Sequence, residues 1–441
     1  MHGISASQRL RSDSDEAAVY RKITRRIMPL LFLGYLFAFL DRINVGYAQL
    51  QMKTDLGFSD AIYGFGAGIF FMGYLLFEIP SNLLLERFGA RLTLLRIMVL
   101  WGLTSAGTLF VSTPMQFHIA RFLLGLFEAG FFPGIILYLT YWYPSTRRAA
   151  VTGQFMFAVP VAGLVGGPLS AWIMTSLDKV AGLDGWRWVF LIEGLPTVLL
   201  GIVCFFALCD KPEQAAWLTD SEKKLVQRVL GADDAGRIRP RLSMARLLKD
   251  PQIGVLVFIY FACAVASYSF TFWLPAMIKS FGIENVSQIG WWSALPYAFG
   301  GAGVLFITRS SDRRRERRWH VGGSLIVAAL LLVATTLFPG NRAWDLAILC
   351  VCAFFLLGAV IAYWSVPPTY LSAAAAPGGI ALISSVGVTG GFVGPTIFGF
   401  TKDATGDFAV GIYVVAAIMI AGGLAMLFAL AKAATRVGEA A

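Results

Sequence analysis

Residues 80–91 read Pro80-Ser81-Asn82-Leu83-Leu84-Leu85-Glu86-Arg87-Phe88-Gly89-Ala90-Arg91, which ends in a charged loop between two apolar runs. A second loop, Asp312-Arg313-Arg314-Arg315-Glu316-Arg317, repeats the acid, the first Arg and the last Arg at a displacement of 226 residues. Gly167-Pro168 recurs as Gly394-Pro395, displaced by 227. Matches at nearly one displacement predict a duplicated unit, and each copy must contain the long apolar runs that flank its loop.

Working outward from these loops, runs of about 20 predominantly apolar residues, the length a helix needs to cross a bilayer, number twelve. They cover 27–50, 61–85, 92–112, 116–142, 149–175, 187–209, 252–278, 288–308, 319–338, 345–370, 378–400 and 408–431. Composition agrees: of 441 residues, 57% are hydrophobic and only 14% charged, against about 25% charged in soluble domains. So few charges cannot cover two or three water-soluble globules, and the apolar excess must face lipid. The same composition excludes disorder, collagen and a disulfide scaffold. All five cysteines lie inside apolar runs, so no structural disulfide is expected.

The fold class expected is therefore an all-α membrane protein with twelve transmembrane helices in two pseudo-symmetric six-helix bundles. The stretch Asp210 to Asp250 is mixed in charge and carries Pro212 and Pro240. It reads as a linker, which gives an N-terminal tail 1–26, a first bundle 27–209, a linker 210–251, a second bundle 252–431 and a C-terminal tail 432–441. The first apolar run ends in polar residues without an A-x-A cleavage site, so no cleavable signal peptide is expected.

An even number of spans puts both termini on one side. With that side taken as cytoplasmic, it receives 27 Lys and Arg against six on the other, as the positive-inside rule requires. Tails and linker are then cytoplasmic and the host is the plasma (inner) membrane. The formal net charge of +10 is accounted for by these loops, so no nucleic-acid partner is needed.

Buried charge is the second signal. Asp or Arg at the centre of a span costs about 2.5–3.5 kcal/mol on insertion scales, so such residues pair or face water. At 1.5 Å per residue, Asp41 and Arg42 in span 1 lie ~7–9 Å from the outer boundary of a ~30 Å core, and Arg121 in span 4 lies ~8 Å from the same boundary. Glu128, seven residues beyond Arg121, lies ~18 Å in on the same face. Two acids and two arginines form a cluster that is neutral when fully ionised. Protonating Asp41 or Glu128 leaves a guanidinium free to hold a carboxylate by two parallel hydrogen bonds. This linkage assigns Asp41 and Glu128 to proton handling, Arg42 to the substrate carboxylate and Arg121 to organising the acids; the competing reading is a buried salt bridge that only fixes the packing of spans 1 and 4. Glu78 and Arg96 lie at one depth, ~6 Å from the cytoplasmic boundary, and read as a structural or gating pair. Glu86, Arg87 and Arg91, with Asp312, Arg313 and Arg317, read as loop charges that bias the relative position of the bundles. Glu193 is left unassigned. Spans 7–12 carry no charge away from their ends, but they do carry aromatics.

These residues also carry a resemblance. Pro80-Ser81-Asn82 with Glu86 to Arg91, and its counterpart at 312–317, resembles the signature loop of the major facilitator superfamily. Phe39-Leu40-Asp41-Arg42-Ile43-Asn44, Arg121-Phe122 with Gly125, Glu128 and Pro133, and Trp186-Arg187-Trp188 with Glu193-Gly194 resemble more narrowly its anion:cation symporter family, over about residues 20–431. The resemblance implies proton-coupled uptake of organic anions of the tartrate, phthalate or 4-hydroxyphenylacetate kind, by a protein expected to be monomeric. It also implies substrate contact at Tyr74, Tyr363 and Trp364. Where related permeases carry asparagines in span 11, this chain has Ser384 and Val388. Losing amide partners favours an aromatic or hydroxyl-poor acid over a sugar acid, because an unpartnered substrate hydroxyl is penalised.

Three histidines spread far apart form no metal-ligand pattern, no cofactor motif is present, and no Walker loop is present. The expectation is a secondary transporter rather than an enzyme, a channel or an ATP-driven pump. A proton-coupled exporter of drugs or metabolites is the runner-up.

Overall fold

The computed structural model describes residues 6–235, 249–337, 341–371 and 376–430. Residues 236–248 of the expected linker and the expected C-terminal tail 432–441 lie outside them. Twelve helical rods follow in chain order: α1 (Ala6–Leu56), α2 (Asp60–Phe88), α3 (Ala90–Phe110), α4 (Pro114–Trp142), α5 (Ser145–Ser176), α6 (Gly185–Ala207), α7 (Pro251–Ser280), α8 (Val286–Arg314), α9 (Trp319–Ala334), α10 (Arg342–Tyr370), α11 (Gly378–Thr405) and α12 (Ala409–Ala429). Ten are long and apolar enough to cross a membrane. Of the other two, α8 has 29 residues with polar ends, and α9 is a shorter apolar rod. The protein is a multi-pass membrane protein. Helices run past the apolar stretches, most clearly at α1, because hydrogen bonding continues into water after hydrophobic residues end.

The duplication is visible in the backbone. Rods α2 and α8 are both 29 residues long and begin and end 226 residues apart, the displacement of the two charged loops. The bundles meet along α2 with α11 and α5 with α8, where glycines let backbones touch. A Cβ on Gly64 would come within 2.5 Å of the Pro395 carbonyl oxygen, and one on Gly167 within 2.7 Å of the Gly290 carbonyl oxygen. At the far side from the termini, polar links join the bundles. Gln49 Nε2 and Tyr63 Oη both donate to the Phe272 carbonyl, at 2.8 and 3.0 Å. Asp60 is bridged by Lys53 of α1 and, at 3.2 Å, by Lys402 of α11.

Two local features position the site. In α4 the helix is interrupted after Glu128 by Ala129 and Gly130, and Gly130 has φ +87°. A side chain there would be strained in the left-handed region and would run into Ser81, 2.4 Å from an added Cβ. The linker helix Asp220–Ala235 docks on the terminal side of the first bundle. Lys22 bonds Glu222 at 2.8 Å, Arg148 bonds Asp233 at 3.2 Å, and Trp142 stacks on Trp217 at 5.7 Å.

Candidate functional site

Neighbouring helical residues point about 100° apart, and this separates Asp41 from Arg42. Asp41 turns into the first bundle. Its Oδ2 accepts from Trp101 Nε1 at 2.6 Å, and its Oδ1 accepts from Ser105 Oγ at 2.6 Å and Asn44 Nδ2 at 3.2 Å. Arg42 turns toward α4. Its Nε donates to Glu128 Oε1 at 2.8 Å, and its terminal nitrogen Nη2 reaches the same oxygen. Glu128 is fully buried and its Oε2 has no hydrogen-bond partner among the described residues.

The two arginines are placed differently. Arg42, expected to take the substrate carboxylate once an acid is protonated, is paired with Glu128. Arg121, expected to organise the acids, makes no hydrogen bond through Nε or either terminal nitrogen among the described residues although it is 1% exposed. It lies against the rings of Phe70 at 5.2 Å and Phe272 at 5.8 Å. Depth arithmetic located each residue along its helix but not around it, and rotation about α1 sends Asp41 to α3 instead of to Arg121.

Aromatic rings enclose the Arg42 guanidinium, with Phe39 at 5.2 Å, Phe70 at 5.5 Å and Tyr74 at 5.6 Å. Stacking rings can hold a cation while leaving its N–H edge available. Beyond Tyr74, the second bundle contributes Tyr268 and Tyr260 from α7 and Trp364 from α10. Trp364 meets Tyr260 edge-on at 4.7 Å. Tyr363 is wholly buried, stacks on Tyr260 at 5.6 Å and donates to the Leu256 carbonyl at 2.7 Å. Its hydroxyl is thus committed to holding α10 against α7; Tyr74 is buried beside Arg42, and Trp364 is part-exposed.

The remaining charges are placed as follows. Glu78 and Arg96 do not pair, contrary to expectation: Glu78 Oε2 accepts from Ser385 Oγ of α11 at 3.0 Å, and Arg96 donates to Ser81 Oγ at 2.6 Å. Equal depth brought them level but on different helix faces. Arg91 stays within the first bundle, donating to the Phe205 carbonyl at 2.8 Å, and Arg87 lies over Phe88 at 5.3 Å; Glu86 is exposed. In the second copy of the loop Arg317 pairs with Asp312 and Arg313 is exposed. Neither copy of the loop shows an ion pair across the bundles among the described residues. Glu193 is buried and accepts from Ser170 Oγ at 2.8 Å.

Sequence reasoning missed Trp101, Ser105 and Ser385. Asn44, three residues after Asp41 and so on a neighbouring face, was the one partner that spacing could have identified. Among the described residues no three His, Cys, Asp or Glu side chains gather where a metal could be held.

The geometry is that of a polar core between two helical bundles, and comparison with known proteins agrees. The profile of the Major Facilitator Superfamily matches residues 31–397. A protein of Agrobacterium vitis named as a tartrate transporter is 44% identical over 92% of this chain and 90% of its own length. A quinolone resistance transporter of Acinetobacter baumannii is 40% identical, covering 92% of this chain and 94% of its own. The solved structure of a D-xylose–proton symporter superposes with a TM-score of 0.72 at 15% identity, covering 92% of this chain and 98% of that one, a likeness of fold alone. Rods, duplication and profile agree, and the chain belongs to the Major Facilitator Superfamily of transporters.

Proposed function

We propose that this protein is a proton-coupled symporter that takes up a small organic carboxylate by alternating access, with an aromatic acid or tartrate as cargo. It works as a monomer in the inner membrane with both termini cytoplasmic. The observation that carries the reading is the buried Arg42–Glu128 pair, set among aromatic rings at the meeting of the two bundles. When Glu128 takes a proton, Arg42 loses its counter-charge and binds a carboxylate in its place; when the carboxylate leaves, Glu128 gives up the proton and recovers Arg42. Proton and anion thus favour each other's binding, which is reciprocal coupling between two sites. Asp41, held by three donors inside the first bundle, handles a proton in the same cycle, and the unpartnered Arg121 adds positive charge to the binding region. The similarity to the tartrate transporter supports a carboxylate cargo.

The test is uptake of labelled tartrate and 4-hydroxybenzoate into proteoliposomes under an inward proton gradient. Wild type accumulates one or both. Glu128→Gln keeps exchange of internal for external substrate but loses gradient-driven accumulation, and accumulation at the wild-type level would sink the reading. The likeness to the quinolone resistance transporter favours a second reading, a proton-coupled exporter. Extrusion of a quinolone with no carboxylate uptake would select it.

A further inference from the structure

Glu193 is a buried acid that the cycle proposed above leaves unused. It stands on α6 at 3% exposure. Its Oε1 accepts from Ser170 Oγ of α5 at 2.8 Å, while its Oε2 is buried and has no hydrogen-bond partner among the described residues. No Lys, Arg or His among them forms an ion pair with it. A carboxylate inside a bilayer is costly, and one without a counter-charge escapes the cost by binding a proton.

Close packing brings this acid to Asp41. A Cβ on Gly194, the next residue, would come within 3.1 Å of Ser105 Cβ, and Ser105 Oγ donates to Asp41 at 2.6 Å. On the α5 side, a Cβ on Gly166, one turn before Ser170, would come within 3.1 Å of Leu40, the residue preceding Asp41. Asn44 links the two acids. Its Nδ2 donates to Asp41 Oδ1 at 3.2 Å, its amide is also in reach of the Glu193 carboxyl, and its own Oδ1 is buried without a partner among the described residues.

Counting donors separates the two acids. Asp41 receives three, from Trp101, Ser105 and Asn44, and is satisfied as an anion. Glu193 receives one, and beside it stands an amide oxygen that lacks a donor. A proton on Glu193 Oε2, directed at Asn44 Oδ1, ends both shortages at once. The other polar groups near the pair do not supply it. Thr197, one turn on along α6, makes no hydrogen bond to Glu193; Tyr47 of α1 lies within electrostatic range of Glu193, and Glu128 and Arg121 of α4 within that of Asp41.

We propose that Glu193 is a proton-holding positioning residue: it stays protonated in this conformation, and its neutrality leaves Asp41 as the acid of the pair that gains and loses a proton during transport. Two anions around one amide would repel, so the acids titrate as a coupled pair. This inference rests on the proton-coupled reading given above and adds a third acid to it.

Infrared spectra of the purified full chain, in light and heavy water, test it. At neutral pH the wild type shows an exchange-sensitive C=O band of a buried protonated carboxyl, and Glu193→Gln removes that band. In Asp41→Asn the same band is lost at about tenfold higher proton concentration than in wild type, because the neighbouring like charge has gone. A glutamate that only fastens α6 to α5 gives no such shift. Glu193→Asp, which displaces the carboxyl by one methylene, moves the band and serves where Glu193→Gln fails to fold. A spectrum without the band, a band that neither Glu193 variant touches, or a titration that Asp41→Asn leaves in place overturns the inference. No cargo enters these measurements. If wild type accumulates no carboxylate, the coupling proposal fails separately, and the spectra still decide whether Glu193 holds a proton against Asp41.

Discussion

The two halves of this transporter share a backbone plan and differ in their interior chemistry. The first six rods bury Asp41, Arg42, Glu78, Arg121, Glu128 and Glu193. In the second six, Asp345 at the start of α10 is the buried charge among the described residues, Arg317 lying in the loop before α9. The second half meets the first with aromatic and hydroxyl side chains: Tyr268 packs on Phe71 at 4.2 Å and Ser385 donates to Glu78. Duplication copied helices, loops and glycine contacts, and it left the charged site in one copy. A fold of this kind supports transport of many cargoes, and the cargo is decided by the side chains lining one space.

The largest expected effect comes from breaking the charged half. Arg42→Gln leaves Glu128 buried without its cation, a change that costs about 3–5 kcal/mol when one partner of a buried pair is removed. A lowered melting temperature of the purified protein, together with loss of carboxylate uptake, is the expected outcome. Adding Glu128→Gln restores much of the melting temperature and none of the gradient-driven uptake. A double variant that regained accumulation would mean that the first half does not hold the coupling site.

An intermediate effect comes from the contact the halves share. Gly64→Val places side-chain atoms where the Pro395 carbonyl stands 2.5 Å from an added Cβ. Overpacking of this kind costs about 1–3 kcal/mol, and here it opposes closure of the far side rather than folding. Labelling of a cysteine introduced near Asp60 by an impermeant reagent should rise in this variant, and an unchanged rate would count against the glycine contact as the closing surface.

The smallest effect belongs to the linker helix Asp220–Ala235, whose ion pairs reach Lys22 and Arg148 of the first half. The hydrogen-bonded ammonium of Lys22 holds the Glu222 carboxyl below its usual range. A depressed acid stabilises the fold above its unfolded value, and that stability is lost as pH falls through the folded value. The pair is partly exposed, so Glu222→Gln should cost under about 1 kcal/mol. The thermal melt should show this difference at neutral pH and lose it in acid below the folded value.

Much of the fold was legible in the sequence because the bilayer imposes a length and an apolarity on every crossing helix, and because the displacement between loops 86–91 and 312–317 persists as the displacement between α2 and α8. The site was legible as a set of residues: charge inside an apolar run is costly wherever it points, so Asp41, Arg42, Arg121 and Glu128 stand out without a structure. Their partners were not legible. Asp41 and Arg42 are adjacent in sequence and serve different sides of α1; Glu78 and Arg96 are level and do not pair.

What the sequence by itself determined is which residues must be satisfied inside the membrane and how far along each helix they sit. Tertiary structure alone decided who satisfies them: Trp101 and Ser105 for Asp41, Glu128 for Arg42, Ser385 for Glu78, and, among the described residues, no hydrogen-bond partner for Arg121. The physical reason is that helical rise is a property of the chain, constant at 1.5 Å per residue. The rotation and tilt of each rod are set by the neighbours it packs against.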